Sequence, residues 1–393
     1  CIEKMKSKKP RILNKIYALD DLEYYARKHL PRPVFGYVSG GAERNDTLKG
    51  NFDDLSKYKF IPNILRNVSG RTIKKSIFGQ EWNAPFGISP MGVSALAAYR
   101  GDLVLAEGAR NMNIPMMISG SSLIPMEEII KVAPETWFQA YLPGEHDKVE
   151  KLVMRVKNAG FKTLILTVDV SVLAGRENNL RNGFSTPLRP SLKLLYNGMV
   201  RPNWSINTFL KTLFLHGMPH FENFLAERGE PVFSASVNRD FGMRSNLNWA
   251  HLEQIRNIWD GNLIVKGILN KDDAIKASSL GADAIIISNH GGRQLDSAIS
   301  SIRALENIRP HINQDCKLFV DSGFRRGTDV IKALSLGADF VFIGRPFLYA
   351  ASIAGLAGVE HAINLLMEEI DRDIALIGVN SLEELNKELI HID

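Results

Sequence analysis

Eight short apolar runs alternating with amphipathic helical stretches predict an α/β chain closed into a (β/α)8 barrel of the TIM type. Two further observations support that class. The runs end in polar or small residues, as strands do when their carboxyl ends face a site. One helix–Gly–strand unit is also repeated: Ile275 to Ile287 reads IKASSLGADAIII and Ile331 to Ile343 reads IKALSLGADFVFI. An open doubly wound sheet can carry the same units, but eight of them favour closure.

Taken in order, residues 1 to 17 are rich in Lys and Arg and read as a loose arm, without the apolar core of a secretory signal. Asp20 and Asp21 open a helix, and Pro33 to Tyr58 continues helically with a break at Gly40-Gly41. The barrel spans about 84–360. Its expected strands are Phe86–Ser89, Met116–Ser119, Trp137–Tyr141, Leu164–Asp169, Leu263–Lys266, Ala284–Ser288, Leu318–Asp321 and Phe340–Gly344. A long insertion, about 177–246, separates the fourth from the fifth, and residues 1–393 form a single domain with N-terminal helices.

With 45% hydrophobic and 23% charged residues the composition is that of an ordinary globular protein. No run of about 18 apolar residues marks a membrane span. Cys1 and Cys316 are the only cysteines, too few for a disulfide framework. The net charge of +5 suits an anionic partner: nucleic acid, membrane surface or substrate. No nucleic-acid motif accompanies it, so no nucleic acid is expected. Within the insertion, Leu188 to His220 carries Arg189, Lys193, Arg201 and Lys211 and no acidic residue. These alternate with Leu192, Leu194, Leu195, Tyr196, Trp204, Phe209, Leu210, Leu213 and Phe214. That mixture fits peripheral contact with an anionic membrane, or a lid over the site.

Reading the strand ends in turn gives Gln139 and Tyr141, Thr167 and Asp169, Lys266, His290 and Arg293, Asp321, and Gly344-Arg345. Core packing requires none of these polar groups. His290 can take a proton near neutral pH, Arg293 can clamp a carboxylate, and Gly291-Gly292 frees the backbone between them. The loops after the seventh and eighth strands are the usual barrel site for a phosphate-bearing ligand. No metal-ligand cluster is apparent in the sequence.

The stretch Ser288-Asn289-His290-Gly291-Gly292-Arg293-Gln294-Leu295-Asp296 resembles the signature of the FMN-dependent 2-hydroxy-acid dehydrogenases and oxidases, and the likeness extends from about Asp20 to Leu382. The resemblance implies FMN as cofactor, with His290 as catalytic base and Asp169 as its partner. It implies that Arg293 and Arg176 bind the substrate carboxylate, and that Tyr37, Tyr141 and Gly92 shape the substrate pocket. Pro90, Met91, Gly92, Ser119, Gln139, Thr167 and Ser288 would line the flavin ring, with Lys266 at its N1 edge. Asp321, Ser322, Gly323, Arg325, Gly344 and Arg345 would hold the ribityl phosphate. The insertion and Gly92 are most similar to the membrane-associated (S)-mandelate dehydrogenases, with the respiratory L-lactate dehydrogenases next. The implied activity is oxidation of a small (S)-2-hydroxy acid, mandelate or L-lactate, with electrons passing to a membrane quinone or another acceptor. The alternative is a soluble oxidase using O2 and giving H2O2. A homotetramer, peripheral on the cytoplasmic side of the inner membrane or otherwise cytoplasmic, completes the expectation.

Overall fold

The computed structural model describes residues 10–185, 192–234 and 244–393. Leu188, Arg189 and the first nine residues of the basic arm lie outside them. Eight parallel strands form one sheet: β1 (Phe86–Ile88), β2 (Met117–Ser119), β3 (Trp137–Ala140), β4 (Thr163–Thr167), β5 (Asn262–Ile268), β6 (Ala284–Ile287), β7 (Lys317–Val320) and β8 (Phe340–Ile343). Each of β2 to β7 pairs with its successor, and β8 pairs back onto β1. A lone parallel bridge between Ile88 and Met116 joins β1 to β2 and completes the ring. The eight expected strands are therefore present and form a barrel rather than an open sheet.

Strand side chains alternate between two faces, and the barrel uses both. Outward residues such as Ile88, Ile118, Leu166, Val265, Ile287 and Val320 pack against the surrounding helices. Inward residues form a second apolar cluster: Met117, Trp137, Ile165, Ile264, Ala284, Ile286, Phe319, Phe340 and Phe342. A hairpin (Lys75–Ile77 with Gln80–Trp82) adds Ile77 and Trp82 to that cluster. Its two-residue turn, Phe78-Gly79, has positive φ at both positions, the geometry that matches strand twist in a tight hairpin. The repeated unit behaves as its sequence indicates. Helices Lys271–Ser279 and Gly327–Ser335 each end before a left-handed glycine, Gly281 and Gly337.

Helices Asp21–His29, Arg32–Ser39 and Asp46–Lys57 precede the barrel, and the expected break falls between the second and third. A short strand, Tyr58–Phe60, pairs antiparallel with Ile390–Ile392 and ties the C-terminal segment to the chain just before the barrel. Helix Arg345–Ile377, 33 residues, is long and apolar enough to cross a membrane by length and composition, although charged residues interrupt its apolar run. It packs instead along helix Gly101–Met112, buries sixteen of its residues and breaks at Ala354-Gly355.

Between β4 and β5 the chain runs through helices Glu177–Asn182 and Leu192–Met199 and a helical stretch from Pro202 to His216. The aromatic residues of this stretch divide into two groups. Trp204 is buried, donates from Nε1 to the Leu96 carbonyl at 2.8 Å and stacks on Phe209. Leu192, Leu195, Tyr196, Ile206, Phe214 and Leu215 stay exposed. Lys211 lies over the Tyr99 ring at 4.0 Å and Arg201 donates to the Leu30 carbonyl, so the two cations tie this stretch to the barrel and to the N-terminal helices.

Candidate active site

The barrel's alternation builds the site. On strands β2 to β7, two residues beyond the last inward apolar side chain and on the same face comes a polar one: Met117 to Ser119, Trp137 to Gln139, Ile165 to Thr167, Ile264 to Lys266, Ile286 to Ser288, Phe319 to Asp321. At the carboxyl end the apolar filling thus gives way to a polar layer. All six residues are less than a tenth exposed. Lys266 Nζ lies 2.8 Å from Asp321 Oδ2 and donates to Ser288 Oγ at 2.7 Å. Ser119 Oγ donates to Gln139 Oε1 at 3.0 Å. Gln139 Nε2 and Thr167 Oγ1 are buried without a partner. An unpartnered buried polar group costs about 1–3 kcal/mol, so two side by side mark the place of a polar ligand.

Above this layer opens a cavity of about 510 Å³. Of the expected site residues, Ser119, Ser288 and Asp169 stand one position behind its wall, bonded to the lining residues Gln139, Lys266 and His290. The others line it, with Pro90, Met91 and Gly92 on one side and Ser322, Gly323, Arg325, Gly344 and Arg345 on another.

His290 lies in left-handed backbone, φ +59°, and Gly291 and Gly292 follow it there. The glycines are required by contact as well as conformation. A Cβ on Gly291 would stand 2.7 Å from Arg345 Nη1, and one on Gly292 would stand 2.5 Å from the Leu48 nitrogen. His290 Nδ1 is 3.0 and 3.1 Å from the two Asp169 oxygens, so the ring donates there and turns Nε2 toward Tyr141 Oη at 3.5 Å. Burial lowers the His290 pKa, helped by Lys266 and Arg176 and opposed by Asp169. Burial alone would raise that of Asp169, but His290 and Lys266 hold it below the ordinary carboxyl value. A neutral imidazole with its free nitrogen facing a cavity can accept a proton.

Asp169 needs room made on β5. Gly267 forms a bulge between Lys266 and Ile268, φ +106°, and a Cβ there would lie 2.6 Å from Asp169 Cγ. One glycine therefore lets the carboxylate approach the same strand that presents Lys266.

Two arginines approach from opposite loops. Arg293 Nη1 donates to the carbonyls of Tyr37 at 2.7 Å and Gly40 at 3.0 Å, and its guanidinium lies over the Tyr37 ring. Arg176 donates to Gln294 Oε1 at 2.8 Å and to the Arg293 carbonyl at 3.1 Å. Burial and the charge of Arg293 bring the Arg176 pKa down to about 10. Arg345 donates to the carbonyls of Val38, Gly40 and Gly291, and burial with Arg293 brings it to about 9. Arg325 is likewise lowered by burial. Cations so desolvated call for an anionic ligand. Arg325 precedes the start of helix Gly327–Ser335 and Gly344-Arg345 forms the start of Arg345–Ile377, both favourable positions for phosphate.

Sequence reading missed several residues. Asn289 and Asp296 belong to the motif but serve as fastenings: Asn289 pairs amide to amide with Asn51, and Asp296 accepts from the nitrogens of Thr47 and Arg44. Phe184, stacked on Tyr37 at 4.5 Å, and Arg244 line the cavity from the segment between β4 and β5.

Fold and site together define a barrel whose strand ends surround a cavity suited to an anionic, phosphate-bearing ligand, with a histidine–carboxylate pair at its wall. The model of the family described as FMN-dependent dehydrogenase matches residues 26–392, and the chain belongs to that family. It is 36% identical to an L-lactate dehydrogenase of Ectopseudomonas mendocina (strain ymp) over 95% of this chain and 98% of the relative. It is 34% identical to an (S)-mandelate dehydrogenase of Pseudomonas putida over 95% and 94%. Among solved structures, that of the monotopic membrane protein (S)-mandelate dehydrogenase superposes with a TM-score of 0.87 at 34% identity, covering 96% of this chain and 99% of that one. A mandelate oxidase with (S)-2-phenylpropionate gives 0.79 at 30% identity, covering 96% and 98%. FMN is therefore the cofactor, and the partnerless Gln139 and Thr167 atoms and the buried arginines fit it.

Proposed function

We propose that the protein oxidises a small (S)-2-hydroxy acid of the L-lactate or mandelate type to the 2-oxo acid and passes the electrons to a separate acceptor of the quinone kind. The reaction removes the C2 hydrogen, the hydroxyl proton and two electrons. Bound FMN supplies the two-electron acceptor. The observation that carries the reading is the His290–Asp169 pair, whose second ring nitrogen faces a cavity flanked by Arg176 and Arg293.

In this reading the two arginines hold the substrate carboxylate and Tyr37 and Tyr141 border the rest of the molecule beside Gly92. His290 Nε2 takes the substrate proton, and Asp169 on Nδ1 stabilises the imidazolium that results. Gln139, Thr167 and Lys266 face the cofactor ring, supported from behind by Ser119 and Ser288, with Lys266 offsetting negative charge taken up there. Ser322, Gly323, Arg325, Gly344 and Arg345 hold the phosphate. Asp321 lines the cavity with them and also pairs with Lys266 at 2.8 Å.

The chain is read as one domain, with about 177–246 as an excursion from the barrel. Its exposed Leu192, Leu195, Tyr196, Phe214 and Leu215 support peripheral attachment to a membrane, in line with the monotopic membrane protein the chain resembles. The dehydrogenase names of the sequence relatives support a separate acceptor over O2. The homotetramer rests on family likeness alone. The test is anaerobic titration of the purified yellow holoenzyme with (S)-mandelate, L-lactate and glycolate. Bleaching of the flavin by at least one acid is expected. A flavin that none of them bleaches overturns the proposal.

A further inference from the structure

Ser322 sits in left-handed backbone, φ +82°, where glycine would be free of strain and a residue with a Cβ is not. Strain of this kind is kept where the side chain does something glycine cannot. Here the hydroxyl is fully engaged. It donates to Asp321 Oδ1 at 2.9 Å and accepts from the Gly291 nitrogen at 3.0 Å. From those two bonds a circuit can be followed through the site. Asp321 Oδ2 lies 2.8 Å from Lys266 Nζ, and Lys266 donates to Ser288 Oγ at 2.7 Å. Ser288 Oγ also accepts from the His290 nitrogen at 3.0 Å, and Gly291 follows His290 in the chain, which closes the circuit. Ser322 therefore lies between the lysine given to the flavin ring and the backbone next to the proton acceptor.

Both contacts bear on the chemistry. A hydrogen bond from Ser322 draws part of the Asp321 negative charge away from Lys266. The ammonium then keeps more of its field for a ring that takes up negative charge on reduction. On its other side, Ser322 gives the Gly291 amide its acceptor and so fixes the loop that aims His290. Lys266, Ser288 and Asp321 are buried, so water is poorly placed to replace a bond lost from the circuit. We propose that Ser322 is a positioning residue for the oxidation, setting the Lys266 charge through Asp321 and the aim of His290 through Gly291. With its hydroxyl spent in this way, only its backbone is left to face the phosphate. The inference rests on the 2-hydroxy-acid reading of the site and adds a residue to it.

Ser322→Gly and Ser322→Ala separate the hydroxyl from the strain, since both remove the oxygen but only glycine relaxes the backbone. Ser322→Gly should therefore melt at a higher temperature than Ser322→Ala. Despite that difference, both should lower the limiting rate of anaerobic flavin bleaching by about 10-fold, with little change in the substrate concentration giving half that rate. Both should also lower the midpoint potential of the bound flavin. A tenfold change in the reduction equilibrium is about 30 mV for this two-electron couple. The potential is read against redox dyes with a photochemical reductant, so it needs no hydroxy acid. If Ser322→Ala fails to retain flavin, the rate and potential of Ser322→Gly carry the test. A Ser322→Gly enzyme with normal rate and potential overturns the inference, because rate would then follow strain alone. A third result would also overturn it: FMN affinity of the apoprotein falling in Ser322→Gly while riboflavin affinity and flavin potential hold, which would give the hydroxyl to the phosphate. Failure of every hydroxy acid to bleach the natural protein overturns the parent reading instead, and the potential still decides whether Ser322 acts on the ring.

Discussion

Replacing Asp169 with asparagine keeps the side chain's size and removes its charge, which isolates what the carboxylate does for His290. The Asp169 oxygens sit 3.0 and 3.1 Å from Nδ1. When Nε2 accepts a proton, the imidazolium and carboxylate charges lie about 4 Å apart, an attraction of about 4 kcal/mol at an effective dielectric constant of about 20. At about 1.4 kcal/mol per decade, losing it slows the proton-accepting step by about 10³-fold. Asparagine occupies the space Gly267 leaves, so the protein should purify yellow with unchanged flavin content. Anaerobic stopped-flow bleaching over a range of L-lactate and (S)-mandelate concentrations separates the limiting rate from substrate capture. The loss should fall on the limiting rate. Because Asp169 raises the His290 pKa against the effect of burial, its removal should also shift the acid limb of the rate profile to lower pH. A limiting rate within about 3-fold of normal, with flavin retained, would refute the role given to the pair.

Gly267→Ala should act on the same carboxylate from the other side, since its Cβ would fall 2.6 Å from Asp169 Cγ on a backbone of φ +106°. A loss of about 1–3 kcal/mol in stability and at least about 10-fold in limiting rate is expected, read by thermal unfolding and stopped flow; an unchanged enzyme removes Gly267 from the site. The pH profile of kcat/KM should be bell-shaped. Its acid limb lies below 6.5, where His290 becomes protonated and can no longer accept, and its alkaline limb lies near 10, where Arg176 loses its charge. A profile flat from pH 5 to 11 would contradict both assignments. Phe214→Ser with Leu215→Ser should move the protein from vesicles containing anionic lipid into the supernatant without changing flavin bleaching by substrate, whereas unchanged sedimentation would place membrane contact elsewhere.

The barrel was legible because its strands are short apolar runs with β-branched and aromatic residues and its helices stop at glycine. Ala284-Ile285-Ile286-Ile287 could scarcely be anything but a buried strand. The polar layer was legible for the same reason: alternation carries the inward face past the last apolar residue to Lys266, Ser288 and Asp321. What periodicity cannot supply is the return path of long connections. Arg244 and Phe184 reach the cavity from such a connection, between strands four and five, and no local pattern points them inward. Gly267 carries no local signal of its role, because a bulge shows only when two strands are in register. Asn289 and Asp296 were read as part of a chemical motif, although their partners, Asn51 and Thr47, are a whole barrel away in sequence.

Fastenings of this span bear on how the protein is made. The bond from the Thr47 nitrogen to Asp296 joins residues 249 positions apart, and Arg293 closes on the Tyr37 carbonyl across 256. At ribosomal rates of about 5–20 residues per second, the helices bearing Tyr37 and Thr47 wait roughly 10–50 s after synthesis for the loop that receives them. During that interval Val34, Phe35 and Val38, buried in the finished protein, have no barrel to cover them. The cavity acquires its walls only when nearly the whole chain has left the ribosome, so the nascent protein passes through a period in which it presents greasy helices and cannot yet retain its flavin.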